Sequence, residues 1–146
     1  MNELDVFVAY GYTWRNSNES ALKKLSQKES ANIRVFLPDI ENSLVVASLA
    51  NRFDISKDKA RERLETAKKE FGCVFGQGDA EFELVEHSFT PHYTFYRMDD
   101  EAIICTYNYR GAKGEIIAVK VGEGGRYFEY LHKELAYLED KGSTAH

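Results

Sequence analysis

Residues 91–109 read Pro-His-Tyr-Thr-Phe-Tyr-Arg-Met-Asp-Asp-Glu-Ala-Ile-Ile-Cys-Thr-Tyr-Asn-Tyr. Alternation on both sides of Asp99-Asp100 predicts a strand over 92–97, a tight turn, and an antiparallel strand over 102–109. This hairpin decides the architecture, because the chain before it reads as parallel. Residues 5–12 alternate, with Val6, Val8, Tyr10 and Tyr12 on one face and Phe7 and Ala9 on the other. Residues 32–37 alternate again and stop at Pro38-Asp39. Between them Asn16, Ser17 and Asn18 offer N-caps for a helix through Ala21, Leu22 and Leu25. Strand, helix and strand in that order imply a right-handed parallel unit. The fold class is therefore α/β, a mixed parallel and antiparallel sheet flanked by helices.

The remaining pattern fits. Residues 40–71 read as two helices: Val46, Leu49, Ala50 and Phe53 share one face of the first. Ser56 caps the second, whose stripe is Ala60, Leu64, Ala67 and Phe71, with Gly72 as its stop. After Gly76 and Gly78 the period returns to two, first through Phe82 and Leu84 and, beyond the hairpin and a turn at 111–114, over 115–121. A last amphipathic helix carries Phe128, Leu131, Leu135 and Leu138. One domain over 1–140 and a disordered tail at 141–146 complete the expectation.

Composition narrows the function. A chain of 146 residues, 43% hydrophobic and 29% charged, can bury its own core without a staple. Its net charge of -5 does not favour non-specific adhesion to nucleic acid or anionic membranes. Cys73 and Cys105 have neither metal-ligand spacing nor the look of a disulfide framework, so no metal or other cofactor is expected and a reducing, cytoplasmic setting is. No apolar run approaches the roughly 18 residues of a membrane span.

Within the hairpin, His92, Thr94, Asp99, Thr106 and Asn108 fall at the intervals of a phosphodiester-cleaving motif. Strand parity makes His92 and Thr94 neighbours on one face and sends Arg97 to the other, while Thr106 and Asn108 share a face of the second strand. The hairpin register decides whether the two pairs meet. A ring nitrogen, hydroxyls and an amide so gathered would suit a phosphate.

The segment resembles the phospholipase D-like superfamily, whose motif is His-x-Lys, four residues, Asp, and commonly Gly-Ser-x-Asn. Here His92 and Asp99 match, Thr94 stands for the lysine, Cys105-Thr106 for Gly-Ser, and Asn108 for the asparagine. In organisation the resemblance covers roughly 4–140, and the chain looks like a small single-motif bacterial member. In such proteins the histidine attacks phosphorus, a second copy's histidine protonates the leaving group, and the lysine neutralises charge, so the resemblance implies a homodimer. It assigns His92 and Asp99 to catalysis, and Thr94, Thr106 and Asn108 to the ligand. With the lysine replaced, the expected role is a ligand-sensing, regulatory or effector module that binds a phosphate-containing ligand or a partner. The alternative is a phosphodiesterase, nuclease-like, with His92 as nucleophile. Arg110 and Lys113 are the nearest cations in the following loop.

A rival reading takes residues 48–64 as a helix-turn-helix, with Lys57, Lys59 and Arg61 on its second helix. Against it, residues 54–71 hold six Lys or Arg and five Asp or Glu, which leaves little net attraction for phosphates. The run Gly122-Glu-Gly-Gly125 lacks the lysine and spacing of a phosphate loop and reads as a turn.

Overall fold

In the computed structural model, residues 1–107 and 116–144 are described. Six strands form a mixed sheet, β1 (Glu3–Phe7), β2 (Asn32–Pro38), β3 (Glu81–His87), β4 (Tyr93–Met98), β5 (Glu101–Thr106) and β6 (Ala118–Gly122), with a two-residue edge strand, β7 (Ser143–Thr144). Their order is β6-β5-β4-β1-β2-β3-β7. β1, β2 and β3 are parallel, whereas β4, β5 and β6 continue the other side of β1 as an antiparallel meander. The mixed sheet follows the predicted change from crossover connections to a hairpin. On one face lie α1 (Tyr12–Ser17), α2 (Glu19–Ser26), α3 (Ser43–Phe53) and α4 (Lys57–Phe75); α5 (Arg126–Lys141) covers the other. Among the described residues no helix is long and apolar enough to cross a membrane.

Local chemistry explains most boundaries. Asn42 Oδ1 accepts from the Leu44 and Val45 N–H groups and starts α3, and Ser56 Oγ accepts from Lys59 N–H and starts α4. The α4 stripe Ala60, Leu64, Ala67 and Phe71 is buried as its spacing requires. Gly72 does not end that helix, which runs on to Phe75 with Gly76 at its C-cap. Full burial of Phe75 outweighs the cost of one interior glycine, about 1 kcal/mol. β1 also stops sooner than its alternation suggests. Gly11, at φ 62°, turns the chain into α1, and a β-carbon there would lie 3.1 Å from Val8 Cγ2 and 3.3 Å from Phe71 Cζ. At the other end, Lys141 closes α5 and Ser143 pairs with Glu86, so the expected tail is ordered through β7. The predicted turn at 111–114 lies outside the described residues.

The α5 face is half apolar and half ionic. Phe7, Phe36, Val85, Phe95, Ala102 and Ile104 form its apolar half, beneath Phe128, Leu131, Leu135 and Leu138 of α5. Two residues toward the amino end of β1 the same face carries Asp5, 1% exposed, opposite Arg34 of β2 and Arg97 of β4. Arg34 grips Asp5 through Nε (2.7 Å) and Nη2 (2.9 Å), and Arg97 Nε reaches it at 2.5 Å. Arg97 Nη1 also meets Glu3, and Arg34 Nη1 meets Glu139 of α5, both at 2.5 Å. Burial alone would lower the pKa of Arg97, but its bonds to Asp5 and Glu3 outweigh that and hold it above the ordinary value. Both guanidiniums thus stay charged around one carboxylate, stitching three adjacent strands.

Removing that carboxylate leaves two arginines facing each other under α5. Asp5→Ala is expected to lower unfolding stability by about 3 kcal/mol in urea melts. A loss under about 1 kcal/mol would show that the strands are held by apolar packing alone.

Candidate functional site at the carboxyl edge of the sheet

The chain leaves β1 for β2 on one side, and β4 arrives later on the other, so the sheet's topological switch lies between β1 and β4. In open α/β sheets ligands favour the crevice outside the carboxyl ends of the strands at such a point. Because β4 runs antiparallel to β1, its first residues share this edge.

The hairpin register separates the motif residues. Asp99-Asp100 is a two-residue turn, so Met98 pairs with Glu101, Thr94 with Cys105 and Tyr93 with Thr106. Paired residues share a face, which puts Thr106 with Tyr93 on the α5 side and Cys105 with Thr94 on the other. Thr106 and Thr94 therefore do not converge. His92 lies just before β4, exposed, its carbonyl accepting from Tyr107 N–H at 3.5 Å. Asp99 sits at the far end of β4, about 20 Å away at the rise of a strand. There, at φ 53°, its Oδ1 accepts from the N–H groups of Asn2 and Glu3, both at 2.8 Å. Those bonds, with the N-terminal charge, hold its carboxyl below the ordinary value, so Asp99 serves the start of β1 rather than His92. Arg97 faces α5, as strand parity predicts. Asn108, Arg110 and Lys113 lie outside the described residues.

What Thr94 does face is a cleft of about 210 Å³. The carboxyl end of β1, the start of α1 and the end of α3 wall it, together with Thr94, Tyr96 and Tyr107. Thr94 Oγ1 donates to the Tyr107 hydroxyl at 2.7 Å. Burial raises the Tyr107 phenol above its ordinary pKa, only partly offset by hydrogen bonds from Thr94 and the Ala9 N–H and by the charge of Arg52, so it stays a neutral hydroxyl. Rings line the cleft: Tyr10 packs on Phe53 (5.1 Å between centroids), Phe53 on Tyr107 (5.7 Å), and Trp14 stacks on Tyr96 (4.3 Å). A guanidinium closes each end of the Tyr10–Phe53–Tyr107 row, Arg63 over Tyr10 at 5.6 Å and Arg52 over Tyr107 at 5.3 Å. Buried Arg15, paired with Glu70, donates to the Tyr10 carbonyl at 3.0 Å and fixes that wall. Arg52 and Arg63 were not legible as site residues from the hairpin; only Arg63, three residues after Ala60 beside the apolar stripe of α4, carried a hint.

A larger groove of about 410 Å³ runs between the end of β2 and α4, but its walls mix Glu41, Glu65 and Glu86 with Lys68 and Lys69. Lys68 is already bonded to Glu86 at 2.7 Å, which leaves less unspent charge for a ligand than the cleft has.

On the α5 side of the same edge, His87 ends β3 with 2% exposure, stacked on Phe7 at 5.2 Å. Its Nδ1 accepts from Phe89 N–H at 3.3 Å, which places the ring proton on Nε2, an atom with no partner. Burial pulls its pKa from 6.5 down to about 4, against a smaller opposing effect of the charge of Asp39. Protonation would put a hydrogen on Nδ1 where the Phe89 N–H already points. Comparison of the chain with known proteins finds no matching family model and no match among curated proteins.

Between pH 6.5 and about 4 the unfolded chain takes up a proton at His87 that the folded chain refuses. Its contribution is therefore complete above pH 6.5 and lost as pH falls, by about 3 kcal/mol at 1.36 kcal/mol per unit. His87→Phe keeps the stacking and removes the proton site. Thermal melts across this window are expected to show a shallower acid loss in the variant than in the wild type, and parallel curves would refute the assignment.

Proposed function

We propose that this domain is a ligand-binding module of phospholipase D-like organisation, working as a homodimer and recognising a phosphate-containing ligand without hydrolysing it. The observation that carries the reading is Thr94. At the position where the motif has its lysine, this chain has a hydroxyl already engaged by Tyr107 inside an aromatic cleft. A catalytic lysine there would supply charge to a phosphorane-like transition state, worth several kcal/mol. Thr94 supplies a polar floor instead, and the nearby cations, Arg52 of α3 and Arg63 of α4, lie over the lining rings of Tyr107 and Tyr10. Such a layout suits holding an anion more than cleaving one.

The surface around the cleft supports a partner. Of the ten exposed large hydrophobic side chains among the described residues, Tyr12, Leu44 and Phe89 follow the carboxyl ends of β1, β2 and β3, and Ile116 and Ile117 precede β6 at the same edge. Tyr137 of α5 reaches Phe89 at 5.8 Å. Exposed tyrosines gathered at one edge suit a protein interface, and a second copy is the partner the motif calls for. The helix-turn-helix reading has less support. Both helices spend their apolar faces on the sheet, and Lys59 and Arg61 pair with Glu62 and Asp58 on their own helix.

Three measurements test the proposal. Calorimetric titration with inorganic pyrophosphate is expected to show binding that Thr94→Val weakens about fivefold to tenfold, the worth of one hydrogen bond. Incubation with labelled nucleic acid and a chromogenic phosphodiester is expected to give no cleavage. Cleavage by the wild type that is lost in His92→Ala would overturn the binding-only reading in favour of a phosphodiesterase. Sedimentation is expected to report a dimer that Tyr137→Lys converts to monomer.

A further inference from the structure

We propose that the cleft takes a planar ring, so that the phosphate-containing ligand is a mononucleotide or a closely similar ring-bearing phosphate ester. Arg63, over Tyr10 at one end of the ring row, would hold its phosphate. The inference rests on the proposed function and names the chemical class that the same site selects.

Phosphate recognition alone needs cations and N–H donors; it does not need Tyr10, Tyr12, Trp14, Phe53, Tyr96 and Tyr107 around one small opening. Six rings are a costly way to line a phosphate site, since only the tyrosines offer hydroxyls, and only at their tips. Their π-faces stack on bases of any identity, typically for about 1–3 kcal/mol per base. At about 210 Å³ the cleft falls below the roughly 300–1,000 Å³ of pockets that enclose a whole drug-sized ligand. It therefore has room for one ring and not for a dinucleotide, and the rest of the ligand must extend toward the mouth.

The complementary charge lies over two of the lining rings, Arg52 over Tyr107 and Arg63 over Tyr10. Neither Arg52 nor Arg63 has a carboxylate within ion-pair distance among the described residues, whereas Arg15, Arg34, Arg61 and Arg97 each have one. In a chain of net charge -5, two guanidiniums without carboxylate partners beside one ring row are available to an anion. Arg63 Nη1 also donates to the Tyr10 hydroxyl at 3.5 Å, which orients the group while leaving its other N–H groups for a phosphate. Thr94 and Tyr107 hydroxyls at the floor then provide the polar atoms that a base edge, unlike a purely apolar ring, would satisfy.

Trp14 is the single tryptophan of the chain and lines the cleft, so its emission reports occupancy directly. Titrations with AMP, adenosine, ribose 5-phosphate and inorganic pyrophosphate separate the contributions. AMP is expected to quench Trp14 and to bind at least tenfold tighter than ribose 5-phosphate. Arg63→Ala is expected to weaken AMP at least tenfold while leaving adenosine within twofold. Tyr12→Ala, at a position 63% exposed in the wall of the cleft, is expected to weaken AMP and leave ribose 5-phosphate unchanged. Equal affinity for AMP and ribose 5-phosphate would overturn the ring inference while leaving phosphate binding in place. Failure of all four compounds to bind would overturn both.

Discussion

Asp5 is the constraint on which the rest of this domain depends. It is a buried carboxylate in the middle strand, held by Arg34 from one neighbour and Arg97 from the other. A pair of strands can slide by one residue and keep most of its backbone hydrogen bonds, but every side chain then changes face. Here such a slip would part three charges beneath a helix, where an uncompensated ion costs several kcal/mol. The ionic contact therefore fixes which way β4 looks. Arg97, Phe95 and Tyr93 must face α5, and Thr94 and Tyr96 must face the cleft.

That assignment divides the labour of the two faces. On the α5 side, charge and apolar surface are spent within the fold, on the Asp5 cluster and on the core beneath Leu131 and Leu135. On the other side, the early end of β1 at Phe7 and the left-handed turn at Gly11 carry the chain away from the sheet after a last bond from Val8 N–H to the Phe36 carbonyl at 3.4 Å, and the cleft opens there. The arginines over its lining tyrosines come from helices started by their own caps, Asn42 and Ser56. A site assembled from a strand, a turn and two helices in this way is held by rigid elements, which is what selective binding of a small ligand requires.

Much of this was legible in the chain. The alternation around residues 6, 35 and 95, the caps at Asn42 and Ser56 and the stripes of α4 and α5 are local signals, and the sheet follows from them. Strand parity also separated Arg97 from Thr94. The pairing of Thr94 with Cys105 was within reach too, since a two-residue turn at Asp99-Asp100 fixes it by counting outward. That count answers the question of register left open by parity: Thr106 pairs with Tyr93 and not with His92. The role of Asp99 at the start of β1 could not be read, because its partners are backbone groups nearly a hundred residues earlier. Nor could Arg52 and Arg63, whose meeting with Tyr107 and Tyr10 depends on how α3 and α4 lie on the sheet. His87 closes an alternating strand like any other residue, and only packing reveals its buried ring.

The account centres on a single place, the opening between β1 and β4 on the helix-rich face. Soaking crystals with pyrophosphate and locating the bound anion tests it most directly. The account predicts density within hydrogen-bond distance of Arg52 or Arg63, over the row formed by Tyr10, Phe53 and Tyr107. An anion held instead between His92 and Thr106, or in the groove beside Lys69, would contradict it.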